Sequence, residues 1–189
     1  MKKTIVMLGL VTGMLAITAQ VSAQVAGKNV MVGMEAMYPN KDIIDNAVNS
    51  KAHTTLVAAV KAAGLVETLK GKGPFTVFAP TNDAFENLPE GTVEMLLKPE
   101  SKAALTKVLT YHVVSGKMDF MAITAAIKAG KGKATLKTVS GGTLTAMMNG
   151  MHNIMLTDEN GGTANISTYD VYQSNGVIHV LDAVVLPKM

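Results

Sequence analysis

The sequence predicts an α+β domain, because helical patterns dominate the first two thirds of the chain after its N-terminal leader and strand patterns dominate the rest. Between Ile43 and Gly130, apolar residues recur at helical spacing in several segments. From Ala134 onward apolar residues recur at every second position, as in strands. Asn149-Gly150 lies between two apolar stretches, which is typical of a β-hairpin turn. Helices followed by strands, without regular alternation, are typical of α+β folds and not of doubly wound sheets.

Residues 1–23 have the pattern of a signal peptide. Two lysines precede a mostly apolar run, and Val21-Ser22-Ala23 supplies small residues at the cleavage positions. The run is shorter than the roughly 20 apolar residues that cross a bilayer, so we expect cleavage after Ala23 and no transmembrane anchor in the mature form. The sequence therefore predicts an exported protein, located in the periplasm or outside the cell.

Composition predicts one domain that is stabilised by burial alone. The chain has no cysteine, so no disulfide can stabilise it, and 48% of its residues are hydrophobic. A chain of this length can bury a single core. We expect residues 24–39 to form a flexible segment that contains methionines and residues 40–189 to form the domain.

Charge argues against a nucleic-acid partner. Removal of residues 1–23 takes away two of the 17 basic residues and none of the 14 acidic ones, which leaves a net charge of +1. Every basic residue is lysine, and tryptophan is absent. Nucleic-acid-binding proteins usually present a basic face, often with arginine forks or stacking aromatic residues.

Capping residues set the expected helix boundaries. Serine, threonine, aspartate and asparagine favour the N-cap, and glycine favours the position after the last turn. We predict a helix after Asp42, a second from Thr54 or Thr55 to Gly64, and a short turn over 65–69. Further helices are predicted after Thr81, over 92–97, from Pro99 and from Asp119 to Gly130.

Two strands are predicted within the helical part, over 75–78 and 111–114. The remaining strand candidates are 134–139, 143–148, 151–157, 164–168, 169–173 and 177–186. A two-residue turn at Asn149-Gly150 would place Met148 opposite Met151 and Met147 opposite His152.

Two segments resemble the signatures of the fasciclin-domain family. The first is Phe75-Thr76-Val77-Phe78-Ala79-Pro80-Thr81-Asn82-Asp83-Ala84-Phe85, and the second is Asn175-Gly176-Val177-Ile178-His179-Val180-Leu181-Asp182. Tyr111-His112 stands between them, followed by Val-Val. The resemblance to a single-domain secreted bacterial member covers residues 40–187. It implies a fasciclin-like wedge of two β-sheets, with about seven strands, and a group of packed helices.

The resemblance also implies a non-enzymatic role in cell adhesion, in extracellular-matrix contacts or in biofilms. The expected partner is an unidentified extracellular or envelope protein or a matrix component. In animal relatives a Tyr-His dipeptide with branched apolar neighbours contributes to adhesion, and a second motif ends in Asp-Ile. The corresponding candidate partner-binding residues are Leu109, Tyr111, His112, Val113 and Val114, and, as a partial match, Asp170 and Val171.

Several signature residues could instead stabilise the fold, through buried hydrogen bonds or helix capping. Adjacent strand residues face opposite sides, so one side chain of Tyr111-His112 would point inward and need a hydrogen-bond partner. His179 lies in an apolar strand and is expected to be a core histidine with satisfied hydrogen bonds. Thr81 and Asn82 are expected to cap a helix.

Methionine provides an alternative hypothesis, a periplasmic Cu(I)-binding protein. Thioethers are soft ligands that select Cu(I). The candidate ligands form two groups, Met31, Met34 and Met37, and Met147, Met148, Met151 and His152. Methionine also fills irregular cores, so packing or a flexible tail would explain the same residues.

No pattern predicts a catalytic site or a cofactor. The sequence contains no Gly-x-Ser-x-Gly elbow, phosphate-binding loop or dinucleotide fingerprint. Asp158 begins a segment like a calcium loop, but Thr163 stands at its sixth position and Tyr169 at its twelfth. A hairpin turn explains that segment better, and we expect no enzymatic activity.

Overall fold

The computed structural model describes residues 29–188, so the predicted signal peptide and residues 24–28 lie outside the described part of the chain. The helices in this part are α1 (Ile43–Ala47), α2 (Thr54–Ala63), α3 (Val66–Lys70), α4 (Asn82–Glu86), α5 (Thr92–Leu96), α6 (Lys102–Tyr111) and α7 (Phe120–Ala129). The strands are β1 (Val30–Val32), β2 (Glu35–Met37), β3 (Phe75–Pro80), β4 (Val113–Ser115), β5 (Ala134–Lys137), β6 (Thr143–Met148), β7 (Ile154–Thr157), β8 (Thr163–Gln173) and β9 (Gly176–Leu181). Short 3-10 turns precede α2 and α6.

Seven strands form one hydrogen-bonded series in the order β4-β3-β9-β8-β7-β6-β5. Strands β3 and β9 run parallel, and every other neighbouring pair in the series is antiparallel. The two signature strands, β3 and β9, are therefore adjacent, next to the edge strand β4. The predicted α+β class is confirmed, and seven strands in the main series agree with the expected number of about seven.

Strand β8 divides the series into two halves. Its first residues, from Thr163 to Asn165, pair with β7, and the residues from Ile166 onward pair with β9. The pairing register with β9 shifts twice between Ile166 and Val171, and bulges of this kind bend a strand. Two separate strands were predicted here, over 164–168 and 169–173, because the bulges interrupt the alternation of apolar residues.

The first core, which we call the helix-side core, lies between the helices and one face of β3 and β9. Val77 and Ala79 point into it from β3, and Ile178 and Val180 point into it from β9. The helices contribute Ile43, Ile44, Leu56, Ala59, Val60, Ala63, Leu69, Leu105 and Leu109. Helix α2 ends at Gly64, whose φ of 75° is the left-handed C-cap expected from the sequence.

The second core, which we call the wedge core, takes side chains from both halves of the seven-strand series. Phe78 and Leu181 come from the half that contains β3 and β9. The other members include Tyr111, Ile123, Ile127, Leu136, Leu144, Ala146, Ile154, Leu156 and Ile166. Helix α7 supplies Ile123 and Ile127, and its predicted cap Asp119 accepts a hydrogen bond from the Ala122 amide at 2.9 Å.

Strands β1 and β2 form a small separate hairpin where a flexible segment was expected. Val30 pairs with Met37, and Val32 pairs with Glu35. Val32 and Met37 are buried members of the helix-side core. Residues 30–37 are thus packed against the domain, because one face of the hairpin is apolar enough to be buried with α1 and α2.

The two outermost strands of the series approach each other. The Val139 amide donates to the Val113 carbonyl at 2.8 Å, and Val114 forms an isolated bridge with Thr138. An unpaired edge strand is a template for association with other chains. These contacts cover part of the free edge of β4 with the segment that follows β5.

Candidate functional site

Tyr111 ends helix α6, although the sequence predicted a strand there. Its ring is fully buried in the wedge core. The phenol donates to the Thr143 carbonyl at 2.6 Å and accepts from the Glu159 amide at 3.2 Å. Burial raises the pKa of Tyr111 to about 12. A Cβ at Gly142 would lie 2.8 Å from the ring, so glycine is needed at that position to let the tyrosine pack.

His112 follows as the C-cap of α6 and is also buried. Nδ1 lies 2.9 Å from the Val108 carbonyl, and Nε2 accepts from the Val185 amide at 3.3 Å. The acceptor on one side and the donor on the other fit a neutral ring with its proton on Nδ1. Burial lowers the pKa of His112 to about 4, which agrees with that neutral state. The dipeptide therefore fastens the C-terminal segment and β6 to helix α6.

The apolar neighbours of the dipeptide are buried as well. Leu109, Val113, Val114 and Val171 are all at most 5% exposed. Only Asp170, which has a positive φ of 54°, is partly exposed, and its carboxylate accepts from the Phe120 amide at 2.7 Å. The predicted contact residues thus hold the domain together and do not form a surface patch. Adhesion through them stays a prediction, and it would require this part of the core to open.

His179 is the satisfied core histidine that the sequence predicted. Nε2 lies 2.8 Å from the Met118 carbonyl, and Nδ1 accepts from the Asp170 amide at 3.4 Å. The ring stacks on Phe78 with 5.6 Å between centroids. Desolvation lowers the pKa of His179, so the ring stays neutral inside the wedge core.

Two signature asparagines have structural roles that sequence reasoning missed. Asn82 accepts from the Thr55 amide at 3.0 Å and donates to the Lys51 carbonyl at 2.8 Å, so it ties α4 to the start of α2. Asn175 accepts from the Ile43 amide at 3.1 Å and donates to the Leu69 carbonyl at 2.7 Å. Both amides bridge elements distant in sequence, which a local turn or capping pattern does not reveal. The cap predicted for Thr81 is confirmed, because its hydroxyl accepts from Ala84.

The first methionine group does not converge on one point. Met31 and Met37 lie on opposite faces of the β1–β2 hairpin, since Met31 is 59% exposed and Met37 is buried. Met34 lies in the turn at 85% exposure. One Cu(I) ion could not reach all three sulfurs while the hairpin is intact. For Met37, core packing explains the residue.

The second methionine group lies around the β6–β7 turn, which is longer than predicted. Met147 pairs with Met155 and Met148 pairs with Ile154, so the turn spans 149–153 and not two residues. Met151 and His152 are exposed in this turn. Within residues 29–188, no three histidine, aspartate or glutamate side chains are grouped closely enough to hold a metal ion.

The Asp158 segment is a hairpin turn, as expected. One carboxylate oxygen of Asp158 accepts from the Asn160 amide at 2.9 Å and from the Gly162 amide at 2.8 Å. The other accepts from the Leu186 amide at 2.9 Å. These bonds leave the carboxylate occupied by the backbone of its own turn and of the C-terminal segment.

The outer face of β5–β8 carries an ordered row of threonines. Cross-strand pairing aligns Thr135 with Thr145, Thr145 with Thr157, and Thr157 with Thr163. The residues beside Thr145 in β6 are fully buried in the wedge core, so Thr145 points to the opposite side. Thr135 and Thr163 are exposed, and the middle two are half-buried. The hydroxyl oxygen of Thr157 is buried and has no hydrogen-bond partner among the described residues. We call this row the threonine face.

A second row of larger side chains borders the threonine face. Met147 pairs with Met155, and Met155 pairs with Asn165. Neighbouring strands lie about 4.8 Å apart, so the two rows place threonine, methionine and asparagine side chains next to one another in a grid across the four strands. Sequence analysis missed this surface because the alignment depends on strand register.

Comparisons with known proteins agree with this fold. The family model described as the Fasciclin domain matches residues 51–187. The chain belongs to the fasciclin family. Protein sll1483 from Synechocystis sp. is 44% identical over 173 residues, which cover 90% of this chain and 87% of that protein. Immunogenic protein MPB70 from Mycobacterium bovis is 32% identical over 146 residues, which cover 75% of this chain and 66% of the relative.

A solved structure of the same fold is a FAS1 domain pair from the insect cell adhesion molecule Fasciclin I. Its TM-score is 0.68 at 16% sequence identity, and the match covers 78% of this fasciclin chain and 51% of the insect pair. At this identity the likeness establishes the fold alone. Among the described residues, no helix has the length and apolar character needed to cross a membrane.

Proposed function

We propose that this fasciclin protein is an exported, non-enzymatic interaction module that binds a protein or matrix component at the cell surface through its threonine face. The observation that carries the proposal is the alignment of Thr135, Thr145, Thr157 and Thr163 across four strands. A paired β-surface presents its groups in fixed positions, so little side-chain entropy is lost on binding.

The chemistry of this face suits a polar partner. Thr135, Thr145 and Thr163 each combine a hydroxyl that donates and accepts with a methyl group, whereas the hydroxyl oxygen of Thr157 is buried. The flanking Met147 and Met155 add adaptable apolar area. The partner would therefore present hydrogen-bonding groups, and a single module would bind it weakly unless several copies act together.

Export is part of the proposal. The signal-like residues 1–23 predict that the mature chain begins at Gln24 in the periplasm or outside the cell. Cell fractionation followed by N-terminal sequencing tests this location. A cytoplasmic protein that retains residues 1–23 would contradict it.

Arginine substitutions test the binding surface. Thr145→Arg combined with Thr157→Arg should reduce capture of cell-envelope components by the immobilised protein at least tenfold, because two long charged side chains would stand on the grid. Thr92→Arg is the matched control, since Thr92 is also half-buried but starts helix α5. Circular dichroism establishes that each variant is folded.

Attachment of cells provides the functional readout. A strain that lacks the gene should adhere less to surfaces, and the wild-type gene and the Thr92→Arg gene should restore adhesion while the double variant should not. Equal capture by the folded double variant and the wild type would exclude the threonine face. Normal attachment of the deletion strain would contradict the adhesive function.

A further inference from the structure

Two methionines face each other on the outer side of the β6–β7 pair. Met147 lies directly opposite Met155 in the antiparallel register. Their strand neighbours Ala146, Ile154 and Leu156 are fully buried in the wedge core, so both methionines lie on the outer face, where they are half-buried. Directly opposed residues have Cβ atoms about 4.5–5.5 Å apart. The register thus brings two thioethers together at a place that solvent reaches.

A third methionine lies in the turn that joins these two strands. Met151 is 85% exposed and is four residues from each of the other two. The turn is held at its base, because the Asn149 amide donates to the Asn153 carbonyl at 2.7 Å and the Asn149 side chain donates to Asn165 Oδ1 at 2.9 Å. Two strand residues, about 7 Å, separate the methionine pair from this base. Long side chains that lean along the strand from both ends can meet across that distance.

Packing and strand preference do not explain these three residues. Methionine fills irregular gaps in cores, but none of the three belongs to the helix-side core or the wedge core. Strands favour β-branched and aromatic residues, and a long flexible side chain loses more entropy when it is ordered. The threonine face makes use of Met147 and Met155 but not of Met151, which lies beyond both of its rows. What the three share is a thioether sulfur at one end of one hairpin.

We propose that Met147, Met151 and Met155 bind one Cu(I) ion through their sulfurs. Thioethers are soft ligands that select Cu(I) over harder divalent ions. At a metal–sulfur distance of about 2.3 Å, as for thiolate sulfur on zinc, one ion joins two sulfurs up to about 4.6 Å apart. The spacing of opposed strand residues permits this separation. Met148 lies on the other face of β6 from Met147, so it does not join the set.

This inference is independent of the threonine face. Met147 and Met155 border that face, but leucine at both positions would keep the apolar area and all four threonines. The double leucine variant should therefore lose Cu(I) binding and still capture cell-envelope components. The two proposals can fail separately, because one rests on the sulfurs and the other on the threonine row.

A titration tests the metal and the number of ions. Protein that carries 13C-methyl methionine is titrated with Cu(I) under anaerobic conditions and followed by NMR, with signals assigned from methionine-to-leucine variants. The methyl signals of Met147, Met151 and Met155 should shift together and saturate at one equivalent, while Zn(II) should leave them unchanged. Shifts that do not saturate, or that appear equally at every exposed methionine, would overturn the proposal.

Variants test the ligand set. Met147→Leu, Met151→Leu and Met155→Leu each keep the apolar bulk but remove one sulfur, so each should weaken Cu(I) binding roughly tenfold or more. Met34→Leu is the matched control for Met151→Leu, because Met34 also lies in a hairpin turn at 85% exposure, and it should bind as the wild type does. His152→Ala should also leave the affinity unchanged, and a loss there would assign the ion to the imidazole instead. Wild-type affinity in any one of the three folded sulfur variants would contradict the proposed set.

Discussion

The two cores of this fasciclin domain differ in packing and in polar satisfaction. The wedge core holds Leu144, Ile154 and Leu156 at 0% exposure, and the polar groups of its buried Tyr111 have hydrogen-bond partners. The helix-side core contains a cavity of about 70 Å³ and the unpartnered Nε2 of His53. The same strands, β3 and β9, form one wall of each core, so the difference arises from what packs against them.

The two cores are packed in different ways. Sheet packed on sheet gives close interdigitation in the wedge core, whereas short helices on a sheet leave gaps between their ends. Stability should therefore depend more on the wedge core.

Matched leucine truncations should reveal the largest difference. Leu156→Ala removes a fully buried side chain from the wedge core and should lower the free energy of unfolding by about 3–5 kcal/mol. Leu56→Ala in the helix-side core should cost less, about 2–3 kcal/mol, because Leu56 already borders a cavity and loses fewer contacts. Urea unfolding of both variants measures the contrast. Equal losses, or a larger loss for Leu56→Ala, would contradict it.

Acid should destabilise the domain through its buried histidines. Burial holds the pKa of His112 at about 4, below the ordinary value of 6.5, so protons bind the unfolded chain more readily. The free energy of unfolding is therefore unaffected by His112 above pH 6.5 and falls as the pH drops from 6.5 towards 4. His112 accounts for roughly 3 kcal/mol of that loss. The pKa values of His53 and His179 are lowered by burial as well, which adds to the same trend.

Urea unfolding between pH 7 and pH 4 measures this acid dependence. His112→Gln removes the titrating ring, so the variant should be less stable than wild type at pH 7 but should lose less stability on acidification. A wild-type protein whose stability is constant from pH 6.5 to pH 4 would contradict the neutral buried state of His112.

Removal of one hydroxyl from the wedge core should have the smallest effect of the three. Tyr111→Phe keeps the ring but deletes the group that bonds Thr143 and Glu159, so it should cost about 1–3 kcal/mol. Tyr38→Phe is the matched control, because Tyr38 is 41% exposed and should change stability by less than about 0.5 kcal/mol. Thermal unfolding compares the two. If both variants are as stable as the wild type, the hydrogen bonds of the Tyr111 hydroxyl do not stabilise the fold.

Much of the fold could be predicted from local patterns. The caps Asp42, Thr81 and Asp119 and the stop at Gly64 mark helix ends through short-range hydrogen bonds and backbone geometry, which neighbouring residues determine. The bulges of β8 and the long turn before β7 were not predicted. Both are fixed by pairing with other strands and not by the local sequence.

The candidate sites were harder to predict for the same reason. The signature around Tyr111 identified the family, but its burial depends on Gly142, Thr143 and Glu159, which are distant in the chain. The threonine face requires the register of four strands, and single threonines in a strand pattern carry no signal of it.

Strand β8 has a mechanical consequence. Its first residues are bonded to β7 and the rest to β9, so one unbroken backbone joins both halves of the domain. Tension that pulls on either half is transmitted along this peptide chain to the other. The two halves should therefore rupture together in a single event when the module is stretched between two attached surfaces.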